Sequence, residues 1–467
     1  MDRQGIEDFF VQHENDMLAD ISRLVRIASD RQPAGPGEPF GAGPAAALAE
    51  ALEIARDYGF SIKNYDNYVG TIDLGDGPAC LDILAHLDVV PAGSGWQVTE
   101  PFEPRIVDGR IYGRGTADDK GPAVAALYAM RAVAESGIQL KGRVRLILGT
   151  DEECGSSDID HYYQYEAEAP MTFSPDAEFP VINIEKGRLQ GELTASWPVD
   201  TDKPHIVSIK GGVKFNVVPD AAEAVLAGFT AGEISKLAES ASVRTGLQFS
   251  VEVQGDQILI KARGKGAHAA TPEMGNNAIT GLLNLLASLP LTEQEGFRVI
   301  QALSSLLPHG DWHGRALGVA MADDLSGPLT LSFNIIEVDE AGLKGAFDCR
   351  APLCAHDGNV RAVAAARFKE HHIVLADHPM VQPHHVPEDL PFIQTLLRRY
   401  EEFSGKKGQC LAIGGGTYVH SLQRGVAFGC ADKAVDNHLH GADEFADISQ
   451  LVMSAKIFTR VIIDLCS

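Results

Sequence analysis

The chain has 467 residues, 45% of them hydrophobic and 22% charged, which excludes a disordered or fibrous protein and calls for roughly two or three domains. A formal net charge of −25 excludes a nucleic-acid partner, because phosphate-backbone binders carry a basic face. The seven cysteines contain no CxxC pair, which excludes a thiolate zinc site and points to buried thiols in a reducing compartment, not a disulfide framework.

Acids in MDRQGIEDFF stand where a signal peptide needs a basic start, and no run reaches the roughly 18 apolar residues of a membrane span. The expected location is the cytoplasm, with no membrane partner. Residues 6–28 then place Ile6, Phe9, Phe10, Met17, Ile21, Leu24, Val25 and Ile27 at helical spacing. A second helix, PAAALAEALEIARDYG, should stop at Gly59. Short strands follow in VGTIDLG and CLDILAHL, and an Asp-Gly turn closes the hairpin PRIVDGRIYGRG. The helix GPAVAALYAMRAVAESG and the strand GRVRLILGT continue an alternation that predicts an α/β layered sheet.

From about Gly187 the texture changes to alternating strands such as GELTASWPV, QILIKARGKGAH and LTLSFNIIEVDEAGLKGAFDCRAP. After DHPMVQPHHVPEDLP the earlier helix-strand-helix texture returns. The expected organisation is two domains: an α/β domain formed by residues 1–186 and 387–467, interrupted by an inserted α+β domain at 187–386.

Polar residues recur at strand ends in the first part: His86 and Asp88, Asp118 and Asp119, Glu152 and Glu153, and Asp176. Ligands of open α/β sheets bind beyond the carboxyl ends of the strands. Each cluster also has an ordinary reading: a hydrogen-bonded strand-end histidine, a turn-forming aspartate, a solvated pair of glutamates. Taken together, carboxylates crowded into one crevice repel unless cations lie between them. Imidazole plus carboxylate, without thiolate, suits zinc, manganese or cobalt.

The segments LAHLDVVPAG, GRGTADDKG and GTDEECG, in this order, resemble the dinuclear-metal exopeptidases and deacylases that include aminoacylase, acetylornithine deacetylase and carnosinase. SPDAEFP, NIEKG, KFNVVPD and GGGTY narrow the resemblance to the PepV-like dipeptidase branch, over nearly the whole chain. It implies a zinc-exopeptidase-type α/β/α catalytic domain with a mixed sheet, covered by an α+β lid. It implies two divalent ions per chain, zinc first, with manganese or cobalt as alternatives. His86 and Asp176 would hold one ion, Glu153 and His440 the other, and Asp118 would bridge them. His438 competes with His440 for the last place.

The same resemblance gives Glu152 as general base and Asp88 as the acceptor that fixes the ring of His86. It gives His268 as the group that stabilises the oxyanion. Asn216, Arg350 and the run Gly414, Gly415, Gly416, Thr417 would grip substrate, with Arg350 suited to a terminal carboxylate; an ordinary salt bridge within a strand pair is its other reading. After GGGTY the branch has an arginine where this chain has Val419 and His420. The implied function is a monomeric, metal-dependent dipeptidase acting on short unblocked dipeptides, β-alanyl ones included. An N-acyl amino-acid deacylase on the same centre and a catalytically silent metal-binding relative are the alternatives. A nucleotide-binding reading fails, since GKGAHAAT lacks the GK[ST] ending of a P-loop.

Overall fold

The computed structural model describes residues 1–200, 204–291 and 294–467. The chain divides into two compact units. One comprises Met1–Ile184, His385–Leu411 and Gly416–Ser467; the other comprises Glu185–His384 and Ala412–Gly415.

The first unit is built on a mixed sheet. Strands Arg143–Gly149, Ala79–His86, Thr172–Ser174 and Gly425–Ala427 run parallel, side by side in that order. Val69–Leu74 and Ser61–Tyr65 extend one edge in antiparallel fashion. The period-2 pleat sends Ile83 and Ala85 into the main core and Leu84 into a smaller cluster on the opposite face. Helices Arg3–Val25, Lys120–Glu135 and Ile448–Cys466 supply the main core. Lys120–Glu135 is apolar nearly all round, as a helix covered on every side should be. The short helix Ser157–Tyr162, together with Tyr418, Val419 and Leu422, covers the other face. The architecture is therefore α/β/α.

The hairpin Arg105–Val107 and Arg110–Tyr112 turns through Asp108 and Gly109, both at positive φ (50° and 76°). An Asp-Gly pair tolerates that mirror-image turn. The helix Ala42–Asp57 ends just before Gly59, at φ 83°.

The cysteine expectation needs correction. Cys80 and Cys466 are joined by a disulfide, 386 residues apart in sequence. Cys80 lies at the start of a central strand and Cys466 ends the last helix, so the fold brings together thiols that no local spacing marks. Cys154, Cys349, Cys354, Cys410 and Cys430 are free. No helix among the described residues is long and apolar enough to cross a membrane.

The second unit carries an eight-stranded antiparallel sheet. Its strand order is Gln248–Gln254, Gln257–Arg263, Ala221–Ala227, His205–Gly211, Thr330–Val338, Gly342–Ala351, Gly187–Ser196 and Val374–Leu375. Helices Ala231–Thr245, Ala278–Leu286 and Glu295–Leu306 pack on one face. The first of these starts at a capping box in which the Thr230 and Glu233 side chains each accept the other's backbone N–H. In Gly187–Ser196, buried Leu189 and Leu193 alternate with exposed Arg188 and Gln190, the pattern of a sheet with one covered face.

Candidate metal centre and active site

The four parallel strands of the first unit end on one edge, and the loops that follow carry the chemistry. His86 is the last residue of its strand and fully buried. Its Nδ1 lies 3.0 Å from the backbone carbonyl of Asp88, which holds a proton on that nitrogen and leaves Nε2 as a lone-pair donor. The Asp88 carboxylate stands 3.5 Å from the same Nδ1 and also accepts the N–H groups of Glu152 and Glu153, each at 3.1 Å. Asp88 thus fixes the imidazole through its carbonyl and the acidic turn through its side chain.

His86 Nε2 is 3.1 Å from Asp118 Oδ1 and 3.4 Å from Asp176 Oδ2, yet it has no hydrogen-bond partner. The second oxygen of Asp118 lies 2.9 Å from His440 Nε2, which is 3.3 Å from Glu153 Oε1. Two triads, His86 with Asp118 and Asp176, and Asp118 with Glu153 and His440, therefore offer ligand atoms within 4.8 Å of one another and share Asp118. His438 belongs to neither; its ring packs against Phe445.

Burial pushes the Glu152 carboxyl up to about 8; nearby His86 works against this, and Asp176, Asp118 and Glu153 add to it. His440 is raised to about 10 by its contacts with Asp118 and Glu153. Burial alone would lower His86, but Asp118, Asp176 and Asp88 outweigh it and raise the ring well above its ordinary value. Burial and the neighbouring Asp118 raise Asp176. Asp119 accepts the backbone N–H of His86 at 3.0 Å, and burial followed by Asp176 raises it strongly. Lys120, the basic residue of the same motif, gives its Nζ to the carbonyls of Leu24 and Ile27 at 3.0 and 2.8 Å. Burial brings it down to about 7. An orphaned imidazole nitrogen facing shared carboxylates, with no thiolate, is a donor set that fits divalent cations.

Within the second unit, the two-residue strands Val217–Val218 and Ala267–His268 pair, and Asn216 accepts the N–H of Ala269 at 2.9 Å. His268 is exposed, and its Nδ1 accepts the N–H of Ala270 at 3.1 Å. Burial of the ring's neighbourhood and the charge of Arg350 lower it, so the neutral imidazole presents Nε2–H as a donor. Arg350 is buried, and its fork is engaged: Nε and Nη2 bind Asp348 at 2.5 and 3.1 Å, and Nη1 donates to the Gly414 carbonyl at 2.7 Å. Asp348 and Arg350 stand two apart on one face of the same strand, so this ion pair lies within one strand and not across a strand pair. Gly414 and Gly415 belong to this unit, whereas Gly416 and Thr417 belong to the first.

The model of peptidase family M20/M25/M40 matches residues 83–464. The chain belongs to this family. Among curated relatives, "Putative dipeptidase YtjP" of Bacillus subtilis (strain 168) is 36% identical over 462 residues, covering 97% of this chain and 98% of the relative. The Beta-Ala-Xaa dipeptidase of Lactobacillus delbrueckii subsp. lactis is 34% identical over 455 residues, with 96% of each covered. Among solved structures, human carnosine dipeptidase 1 superposes with a TM-score of 0.61 at 14% identity, over 99% of this chain and 98% of the other. At that identity the likeness speaks for the fold alone.

As a member of the M20 family the protein is a hydrolase acting on peptide bonds. The departure after GGGTY has a structural counterpart: Val419 is fully buried with Leu84, Ile147 and Ile159. Tyr418, Asp158 and Arg114, passed over in the sequence, also shape the site. Tyr418 and Asp158 bind one another, and Arg114 forms a buried ion pair with Glu444. Tyr418 lies in GGGTY and Arg114 in GRGTADDKG, so both were within recognised motifs, but nothing local gave them partners.

Proposed function

We propose that this M20 peptidase is a metal-dependent dipeptidase that hydrolyses short unblocked dipeptides, β-alanyl dipeptides included. The observation that carries this reading is the pair of triads sharing Asp118, with Glu152 beside them. His86, Asp118 and Asp176 would hold one divalent ion, and Asp118, Glu153 and His440 a second, with zinc, manganese and cobalt all suited to the set. Such ions, when bound, lower the pKa of water and polarise a carbonyl. Glu152 takes the proton of the attacking water and returns it to the leaving amine, the task of a general acid–base. Asp88 keeps the ring of His86 and the Glu152–Glu153 turn in place.

Within the second unit, the Nε2–H of His268, Asn216 and the backbone of Gly414 and Gly415 are groups suited to a substrate's polar ends. Gly416 and Thr417 of the first unit continue that backbone. Arg350 contributes by holding the Gly414 carbonyl and through the N–H groups that Asp348 leaves over. We assign a monomer, since the insert carries its own eight-stranded sheet and helical layer. We assign a cytoplasmic location, on the five free thiols.

The test is a panel of dipeptides, β-alanyl dipeptides and N-acyl amino acids, assayed after chelation and again after reloading with zinc, manganese or cobalt. Hydrolysis of free dipeptides, abolished by chelation and restored by metal, is the expected result. Preference for N-acyl amino acids would assign the chain to the deacylases, and chelator-insensitive hydrolysis would remove the metal reading.

A further inference from the structure

Arg114 and Glu444 are among the most deeply buried charged side chains of the first unit, 1% and 0% exposed, and neither contributes a ligand atom to the two triads. The Glu444 carboxylate collects four donors. Oε2 accepts Arg114 Nη1 at 2.5 Å, and Oε1 accepts the N–H groups of Gly115, Ala117 and Asp118 at 3.0, 3.0 and 3.2 Å. The backbone carbonyl of Glu444 takes the N–H of Gly113 at 2.9 Å. One glutamate therefore dictates the path of the whole segment 113–118 that ends in the shared ligand Asp118.

Arg114 reaches the other way. Its Nη2 donates to the carbonyl of Gly441 at 3.0 Å, the residue directly after His440. His440 itself is 55% exposed and sits at positive φ (60°), a region uncommon for residues other than glycine. The ion pair thus joins two segments more than 300 residues apart, one carrying Asp118 and the other His440. Burying two charges is costly unless their remaining donors and acceptors are satisfied; here the carboxylate and both terminal nitrogens of the guanidinium are engaged, most of them on backbone groups beside the ligands, while the Arg114 Nε has no hydrogen-bond partner.

We infer that Arg114 and Glu444 are a positioning pair that sets the affinity of the second triad, Asp118 with Glu153 and His440, more than that of the first. This rests on the dinuclear reading above. The asymmetry follows from the geometry: the ring of His86 is fixed by its own strand and the Asp88 carbonyl, whereas His440 depends on the loop that Arg114 anchors. Removing the pair leaves the first triad two well-held ligands and deprives the second of a defined His440.

The experiment is calorimetric titration of the metal-stripped protein with Mn2+, for wild type, His440→Ala, Glu444→Gln and Arg114→Met, with circular dichroism on each. The binding event that His440→Ala abolishes marks the second triad. In Glu444→Gln and Arg114→Met that event should weaken roughly 10- to 100-fold, the range for lost outer partners of metal ligands, while the other event stays close to wild type. Equal weakening of both events, or of neither, overturns the inference. Should Glu444→Gln or Arg114→Met not fold, Arg114→Lys decides alone. It keeps the charge but loses the fork to Gly441, and the same two readings apply. If wild type shows no event that His440→Ala removes, the dinuclear reading falls, and this inference with it.

Discussion

Tyr418 donates its hydroxyl to Asp158 at 2.6 Å, and both side chains are buried. The same Asp158 oxygen accepts the N–H groups of Thr150 and Asp151 at 2.6 and 2.9 Å. The bond therefore ties the chain after the glycine run to the loop that presents Glu152 and Glu153. Tyr418→Phe should cost about 1–2 kcal/mol, measured by urea unfolding, because Asp158 keeps its backbone donors Thr150, Asp151 and Ile159. Turnover should fall with it, since the loop loses one of its supports; full activity at reduced stability would separate Tyr418 from the acidic turn.

Asp158 also predicts a pH dependence. Burial raises its carboxyl from 3.8 to about 6, although Tyr418 pulls the other way. The folded state thus keeps a proton that the unfolded chain releases near pH 4. The stabilisation is complete below about 4 and is lost as pH rises through about 6. Asp158→Asn cannot titrate, so the stability gap between wild type and variant should narrow from pH 4 to pH 7, by up to about 3 kcal/mol. A gap that widens over this range would mean the carboxyl is held down, not up.

Glu152→Gln should leave both ions bound while lowering turnover by roughly 10²- to 10⁴-fold, the share of a general base. Metal analysis beside single-turnover kinetics checks both halves. Loss of metal on the same scale would make Glu152 a ligand instead.

His440→Ala should remove one ion from the protein, and His438→Ala none. Plasma-emission metal analysis after exhaustive dialysis gives the stoichiometry. The opposite pattern would hand the ligand role to His438.

Arg350→Ala should destabilise the second unit by about 3–5 kcal/mol, because it leaves Asp348 buried without its partner. The double variant Asp348→Asn, Arg350→Ala should recover part of that loss. A KM that rises for free-carboxylate dipeptides even in a folded double variant would give Arg350 a direct part in substrate binding. An unchanged KM would confine it to the sheet.

How much of this was readable before folding depends on what kind of contact is involved. His86, Asp118, Glu153 and Asp176 belong to polar clusters that the sequence marks at strand ends, whereas His440 rests on the resemblance alone. Parallel strands ending on one edge bring His86, Glu153 and Asp176 together there, but Asp118 follows the hairpin strand Arg110–Tyr112 and His440 lies in the loop before Phe445–Asp447. The Arg350–Asp348 pair was half visible, since residues two apart on a strand share a face. What decided it was burial, which no single residue reports. The division of labour in Asp88, carbonyl to His86 and carboxylate to the turn, was not visible, because main-chain acceptors have no residue type. Cys80–Cys466 was hidden for a related reason: its partners are set by where the last helix stops, not by spacing.

The covalent path passes between the two units four times, at Ile184–Glu185, His384–His385, Leu411–Ala412 and Gly415–Gly416. The tetrapeptide Ala412–Gly415 supplies the second unit with a carbonyl for the N–H of Lys186 at 2.9 Å and another for Arg350. Cutting out residues 185–384 as a cassette would strip both acceptors and unseat a buried guanidinium. Any transplant of this module into another scaffold, or any circular rearrangement of the chain, would have to bring along four amino acids encoded nearly thirty codons downstream of it.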